Sequence, residues 1–194
     1  MPNWCFSSYA AEGPQDQIQK LYDMMTSLAA MPAPGLIENG FGSNWLGNLV
    51  MAIGVNPLEQ NNFRCRGDFT NVDLCGGVLT FDTTTAWCEA DDTRRLIEEK
   101  FPGVHLYFIA EEFAMEYWVT NDLNGKYFPE KYYFVTEDYE DDGNYYDTLP
   151  ELLDAIKAAT GLTGMLTFEE CDKALSNYRD GDYSYSLYRI SYES

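Results

Sequence analysis

The stretch Arg66-Gly-Asp-Phe-Thr-Asn-Val-Asp-Leu-Cys-Gly-Gly-Val-Leu-Thr-Phe-Asp-Thr-Thr84, with the later segment Asp91-Asp-Thr-Arg-Arg-Leu-Ile-Glu-Glu-Lys-Phe-Pro-Gly-Val-His-Leu-Tyr-Phe-Ile109, decides the fold. Arg66–Asp73 and Val78–Thr84 read as two strands joined at Gly76-Gly77, a pair suited to the tight turn of a hairpin. Asp91–Phe101 reads as a helix ended by Pro102-Gly103, since proline cannot continue the helical hydrogen bonding. Val104, Leu106 and Phe108 then alternate with His105, Tyr107 and Ile109, the period of a strand with two faces. Upstream, residues 3–10 read as a strand with Trp4, Phe6 and Ser8 on one face and Cys5 and Tyr9 on the other. Ile18, Leu21, Tyr22, Met25, Leu28 and Ala29 recur at the spacing of an amphipathic helix, and Met31-Pro-Ala-Pro-Gly35 stops it. The order is β-α-β-β-α-β, the split βαβ or ferredoxin-like order of an α+β domain.

Residues 35–65 read as an irregular insertion carrying one short helix at Trp45, Leu46, Leu49, Val50 and Ile53. Downstream, Met115–Asn121 and Lys126–Glu137 flank Asn124-Gly125, which predicts a hairpin extending the antiparallel sheet. Thr148 with Glu151 forms a capping-box pattern. Leu152, Leu153, Ile156 and Ala159 follow as a helical stripe closed by Gly161. Thr167 with Glu170 repeats the pattern before Phe168, Cys171, Leu175 and Tyr178, and Ser184–Tyr192 reads as a final strand. The expected organisation is a core with its hairpin over 1–137. An acidic turn, two C-terminal helices and a strand over 138–194 would pack on the same domain.

Charge constrains function most. The chain carries 32 Asp and Glu against 12 Lys and Arg, a net charge of -20 over 194 residues. From Tyr132 to Ile156 there are acids at 137, 138, 140, 141, 142, 147, 151 and 154, and no Lys or Arg. Such a surface repels nucleic acid and anionic membranes and attracts basic proteins and cations. The hydrophobic fraction of 45% and aromatic fraction of 15% are those of a folded chain, because disordered acidic chains are poor in aromatics. No run approaches the roughly 20 apolar residues of a membrane span, and Met-Pro-Asn-Trp does not open a secretory signal, so a cytoplasmic location is expected. The five cysteines (Cys5, Cys65, Cys75, Cys88, Cys171) are odd in number and widely spaced, which suggests reduced thiols.

Pro2-Asn3-Trp4-Cys5 leading into a strand resembles the YubB-type proteins of plasmids and phages. So do Thr85-Ala86-Trp87 after a strand, the Asp91–Phe101 helix, Pro102 before Val104–Ile109, and Glu111-Glu112-Phe113 through Trp118. The resemblance spans roughly residues 1–135. It departs at Cys88-Glu89-Ala90, where the family has prolines, and in the missing Glu-Pro-Gly past the fourth strand. It implies a ferredoxin-like domain and an origin on a mobile element, with no particular activity.

No catalytic set emerges. His105, the single histidine, sits in a strand without an assignable Ser or Cys partner, and triads are recognised by geometry. Glu111-Glu112 point to opposite strand faces. Gly40-Phe-Gly42 with Gly47 is not a dinucleotide fingerprint. Asp138, Glu140 and Asp142 with Gly143 follow positions 1, 3, 5 and 6 of a calcium loop, but Leu149 stands where the closing Glu belongs. They are a weak calcium candidate beside the favoured reading of a solvated acidic turn. No cofactor is expected.

The remaining candidate is a binding surface in which tyrosines interleave with acids: Glu137, Asp138, Tyr139, Glu140, Asp141, Asp142, Tyr145 and Tyr146. Tyrosine suits interfaces because it buries a large area and keeps a hydrogen bond. The sequence therefore predicts a non-enzymatic, cytoplasmic acidic binding protein of a phage or mobile element. Its partner would be a basic protein, normally a nucleic-acid-binding host (defence) protein, inhibited by nucleic-acid mimicry. The alternatives are an enzyme acting on a small cationic or metal-bound substrate, or a domain without a specific partner for its acidic face.

Overall fold

A computed structural model of the chain describes residues 2–59, 63–136, 143–178 and 185–193. The chain is of mixed α+β class and divides into two compact units, Met1–Tyr117 and Trp118–Ser194.

The first unit contains β1 (Trp4–Glu12), α1 (Gln15–Ala29), α2 (Leu46–Ala52), β2 (Gly67–Cys75), β3 (Val78–Ala86), α3 (Asp91–Lys100) and β4 (His105–Glu112). Its strands lie in the order β2-β3-β1-β4, and every adjacent pair is antiparallel. Directly opposed residues share a face, so the register sorts the side chains. Tyr9 lies opposite both Phe81 and Phe108. Its ring stacks on Phe81 with centroids 4.7 Å apart and planes 7° from parallel. Ala11, Leu79 and Leu106 continue this face, and all are buried. The apolar stripes of α1 (Ile18, Leu21, Met25, Leu28) and α3 (Leu96, Ile97) close over it. At roughly 1.5–3 kcal/mol per fully buried large side chain, this layer is the main stabilising contact of the unit. Gly67 opposes Thr85, where an added Cβ would collide with the Thr84 carbonyl.

The insertion is ordered by one buried side chain. Asn48 of α2 accepts at Oδ1 from the amides of Leu36 and Ile37, 3.1 Å each. Its Nδ2 donates to the carbonyls of Pro34, Gly42 and Ser43 at 2.8, 3.1 and 3.0 Å. A segment without a ladder of its own thereby satisfies its backbone.

The second unit contains β5 (Tyr117–Thr120), which leads in from the first, then β6 (Tyr132–Thr136), β7 (Asn144–Tyr146), α4 (Leu149–Thr160), α5 (Phe168–Asn177), β8 (Tyr185–Arg189) and β9 (Ser191–Tyr192). An antiparallel sheet runs β7-β6-β8, and β5 pairs with β9 in parallel. Phe134 and Leu187 of the sheet pack with Leu152 and Ile156 of α4 and Cys171 and Leu175 of α5. The Thr148–Glu151 capping box closes α4 at its start, and Gly161 at φ 75° ends it. At α5, Thr167 accepts from the Glu170 amide, whereas the Glu170 carboxylate takes the amide of Leu166.

The expected Asn124-Gly125 hairpin does not form: β5 and β6 belong to different sheets. The turn itself is present, with Gly125 at φ 61° and its amide donating to the Asp122 carbonyl at 3.1 Å. The buried Asp122 carboxylate, however, accepts from the amides of Tyr127 and Phe128 at 2.7 and 3.0 Å. Those donors are spent on a side chain and cannot build a ladder against β5. The sheet is therefore not extended by an antiparallel hairpin at this point. The final strand is also broken into β8 and β9 at Ile190, whose amide donates to the Lys131 carbonyl.

Candidate functional site

Of the residues nominated from sequence, Glu137, Asp138, Tyr139, Glu140, Asp141 and Asp142 lie outside the described residues. So does the calcium candidate Asp138, Glu140 and Asp142. Among the described residues no cluster of three or more His, Cys, Asp or Glu could hold a metal ion. Tyr145 and Tyr146 lie on β7 and point to opposite faces. Tyr146 opposes Tyr132 and packs against the helix-covered core. Tyr145 opposes Tyr133, is 36% exposed, and sits 4.6 Å from the Tyr133 ring. The row continues from Tyr133 to Trp118, and from Trp118 to Tyr188 at 4.0 Å. Gly143, at φ 69°, leaves the space the Tyr133 ring occupies.

His105 opens β4 and lies half-exposed, its Nδ1 2.9 Å from Glu98 Oε1. The same oxygen accepts from the Leu106 amide at 2.9 Å, so Glu98 ties α3 to the start of β4. Glu112 turns inward and accepts from the amides of Ala114 and Met115 at 3.1 and 2.7 Å, closing the turn after β4. All five cysteines are free thiols.

The surface with the most distinctive chemistry is the face of the β2-β3-β1-β4 sheet opposite α1 and α3. It carries Trp4, Phe6 and Ser8 from β1, Asp82, Thr84 and Ala86 from β3, and Tyr107, Ile109 and Glu111 from β4. Phe6 is 50% exposed and Trp4 37%, whereas the inward residues Cys5 and Tyr9 beside them are buried. Large aromatics left in water on a sheet are uncommon and mark interaction sites. Five carboxylates share this face (Glu12, Asp68, Asp73, Asp82, Glu111), and just before β2 Arg66 opposes Ala86 at its end, its carbonyl taking the Ala86 amide. Burial pushes the Asp68 carboxyl above its ordinary range.

Among the described residues, neutral donors hold Asp82 in place. Ser8 Oγ donates to Oδ1 at 2.8 Å and Asn71 Nδ2 to Oδ2 at 2.7 Å. Asn71 reaches it from the register shift between Thr70 and Asp73, where its φ is 54°. Asp82 opposes Ser8, two residues along the same face from Phe6, so carboxylate and ring are diagonal neighbours. Trp4 is set by Phe41 of the insertion, edge-to-face at 6.2 Å. A cation on this face would meet fixed carboxylates and aromatic rings together, the two groups that attract a guanidinium or ammonium most. Sequence alternation places Trp4, Phe6 and Ser8 together; Glu12 joins them at the end of β1, and the other acids join only through pairing with β2, β3 and β4.

Beneath the sheet lies a buried polar network that sequence reasoning missed. Tyr9 Oη donates to Glu89 Oε1 at 2.7 Å, and Arg94 Nε donates to the same oxygen at 3.0 Å. The Arg94 guanidinium lies 4.8 Å from the Phe108 ring centroid. Burial first, and then the Glu89 charge, push the Tyr9 phenol well above its ordinary value.

The chain matches no protein-family model, no curated protein and no solved structure.

Proposed function

We propose that this is a non-enzymatic binding protein whose ferredoxin-like first unit presents an acidic, aromatic sheet face to a basic protein partner. The strand order β2-β3-β1-β4 with two helices on one face supports the ferredoxin-like reading. The observation that carries the function is the opposite face, where exposed Trp4 and Phe6 stand among five carboxylates. Net charge steers a basic partner inward, and the rings supply apolar contact once it arrives. The acidic run Glu137–Asp142 and Tyr145 add to this chemistry in the second unit. A partner that ordinarily binds nucleic acid fits, because its groove already pairs cations with stacking surfaces. The resemblance to plasmid and phage proteins favours a mobile-element origin, with a host defence protein as target in the cytoplasm.

The test is titration of a fluorescein-labelled octa-arginine peptide, followed by anisotropy at low and high salt. Saturable binding that weakens with salt, and weakens again when Phe6 is changed to Ser, is the expected result. Binding to the Phe6→Ser protein as tight as to wild type would refute the assignment to this face.

A further inference from the structure

A cavity at the end of β2 and β3 in the first unit has a different chemistry. Past the Gly67–Thr85 pair the chains on either side of β2 and β3 are joined once more, between Ala86 and Arg66. The space between Phe63–Arg66 and Thr85–Ala90 is a cavity of about 390 Å3, within the range of small-ligand pockets. Both walls are fixed. Arg64 donates its amide to Asp92 Oδ2 at 2.9 Å, and its carbonyl accepts from Thr93 Oγ1 at 3.2 Å. The Ala86 amide donates to the Arg66 carbonyl, and the Trp87 amide to the Asn3 carbonyl. Thr85 Oγ1 donates to the Cys88 carbonyl at 2.7 Å.

Trp87 is the unusual member. It is 47% exposed and has φ 76°, in the left-handed region that a bulky side chain rarely enters. Strained residues of this kind persist where the surroundings fix them, and they gather at ligand sites. The charges around the cavity are mostly balanced. Glu89 is bound by Arg94 and Tyr9, and Arg64 lies 3.3 Å from Asp91. Arg66 is exposed and has no ion pair among the described residues. Arg66 and the Trp87 indole line the same cavity.

We propose that this cavity binds a small planar aromatic anion, its ring on the Trp87 indole and its oxyanion on the Arg66 guanidinium. A guanidinium holds a carboxylate, sulfonate or phosphate oxygen by charge-assisted hydrogen bonds, and an indole offers a stacking face. The probe is 2-naphthoate, titrated into the full chain and followed by amide chemical shifts, with neutral 2-naphthamide as its match. The expected result is saturable shifts confined to residues 63–66 and 85–90, with the amide binding at least about tenfold more weakly. Arg66→Gln should weaken naphthoate about tenfold, on the same grounds. Trp87→Gly should abolish binding without lowering the melting temperature, because glycine accepts the positive φ that tryptophan strains to reach. Trp87→Phe, which keeps a ring, should bind. The proposal is overturned by absence of saturable shifts in wild type, by equal binding of naphthoate and naphthamide, or by a Trp87→Gly protein that still binds.

Discussion

Replacing Asn48 tests the reasoning about the insertion most severely, because one side chain makes five hydrogen bonds to the loop before it. Asn48→Ala removes all of them and leaves two amides and three carbonyls to find other partners. At about 1 kcal/mol net per bond the loss approaches 5 kcal/mol. Water can reach some of these part-buried groups, so about 3 kcal/mol is expected. Asn48→Asp is the sharper variant. It keeps the acceptor for Leu36 and Ile37 but turns a carboxylate oxygen toward the carbonyls of Pro34, Gly42 and Ser43. Ionisation there is opposed, so the carboxyl should titrate higher in the folded than in the unfolded chain. Its stability should then be greatest below the unfolded value of about 3.9 and fall as pH rises through the folded one. Urea denaturation followed by circular dichroism from about pH 3 to about pH 8, which starts below the unfolded value, reads both effects. The Trp4 environment should loosen in step, since Phe41 rides on the same loop. A cost for Asn48→Ala below about 1 kcal/mol, or a pH-independent Asn48→Asp, would refute the clamp.

Other consequences are as direct. Asp122 is buried, which by itself raises its pKa. The backbone amides of Tyr127, Lys126, Phe128 and Asn124 outweigh that and hold the carboxyl below the usual range. Its stabilisation is therefore present above the unfolded carboxylate value and lost as pH falls through the lower folded one. The melting-temperature gap between wild type and Asp122→Asn should close on acidification, and a constant gap would contradict this. Glu89→Gln strands the Arg94 charge, with both side chains nearly fully buried, and should cost about 3–5 kcal/mol; adding Arg94→Met should recover part of it in chemical denaturation. Cys75 is exposed, whereas burial pushes the Cys5 thiol up to about 12 and the Cys65 thiol up to about 11. Iodoacetamide should accordingly label Cys75 ahead of both, and mass mapping that finds Cys5 or Cys65 modified first would contradict the burial.

The elements of the first unit were legible because each has its own local signal. Alternation in β1 and β4, the stripe of α1 and the Gly76-Gly77 turn need no distant partner to be read. The α4 capping box was legible for the same reason. What escaped was non-local. The Asp122 carboxylate competes for the amides that Asn124-Gly125 would otherwise deliver to a hairpin, and nothing in the dipeptide announces that. Tyr9 and Glu89 are 80 residues apart in sequence, and a tyrosine and a glutamate at that distance carry no pattern. β7 was missed because three residues after an acidic run read as loop. Without it, Tyr145 and Tyr146 looked like one site, although neighbours on a strand face apart. Apart from Glu12 of β1 itself, the carboxylates that join Trp4 and Phe6 come from β2, β3 and β4, so most of the acidic, aromatic face exists only after pairing.

The central claim is that the sheet face recognises cations through place as well as charge. Octa-arginine affinity should be measured for Phe6→Ser/Asp82→Asn and for Glu151→Gln/Asp154→Asn on α4, which removes two exposed charges elsewhere. Loss of one ring–cation contact and one fixed carboxylate should together cost about 2–4 kcal/mol, a weakening of at least about tenfold. The α4 variant should lose no more than about twofold, because exposed rim charges act mainly through long-range steering. Equal weakening in the two proteins would show that net charge alone attracts the peptide and would contradict the account.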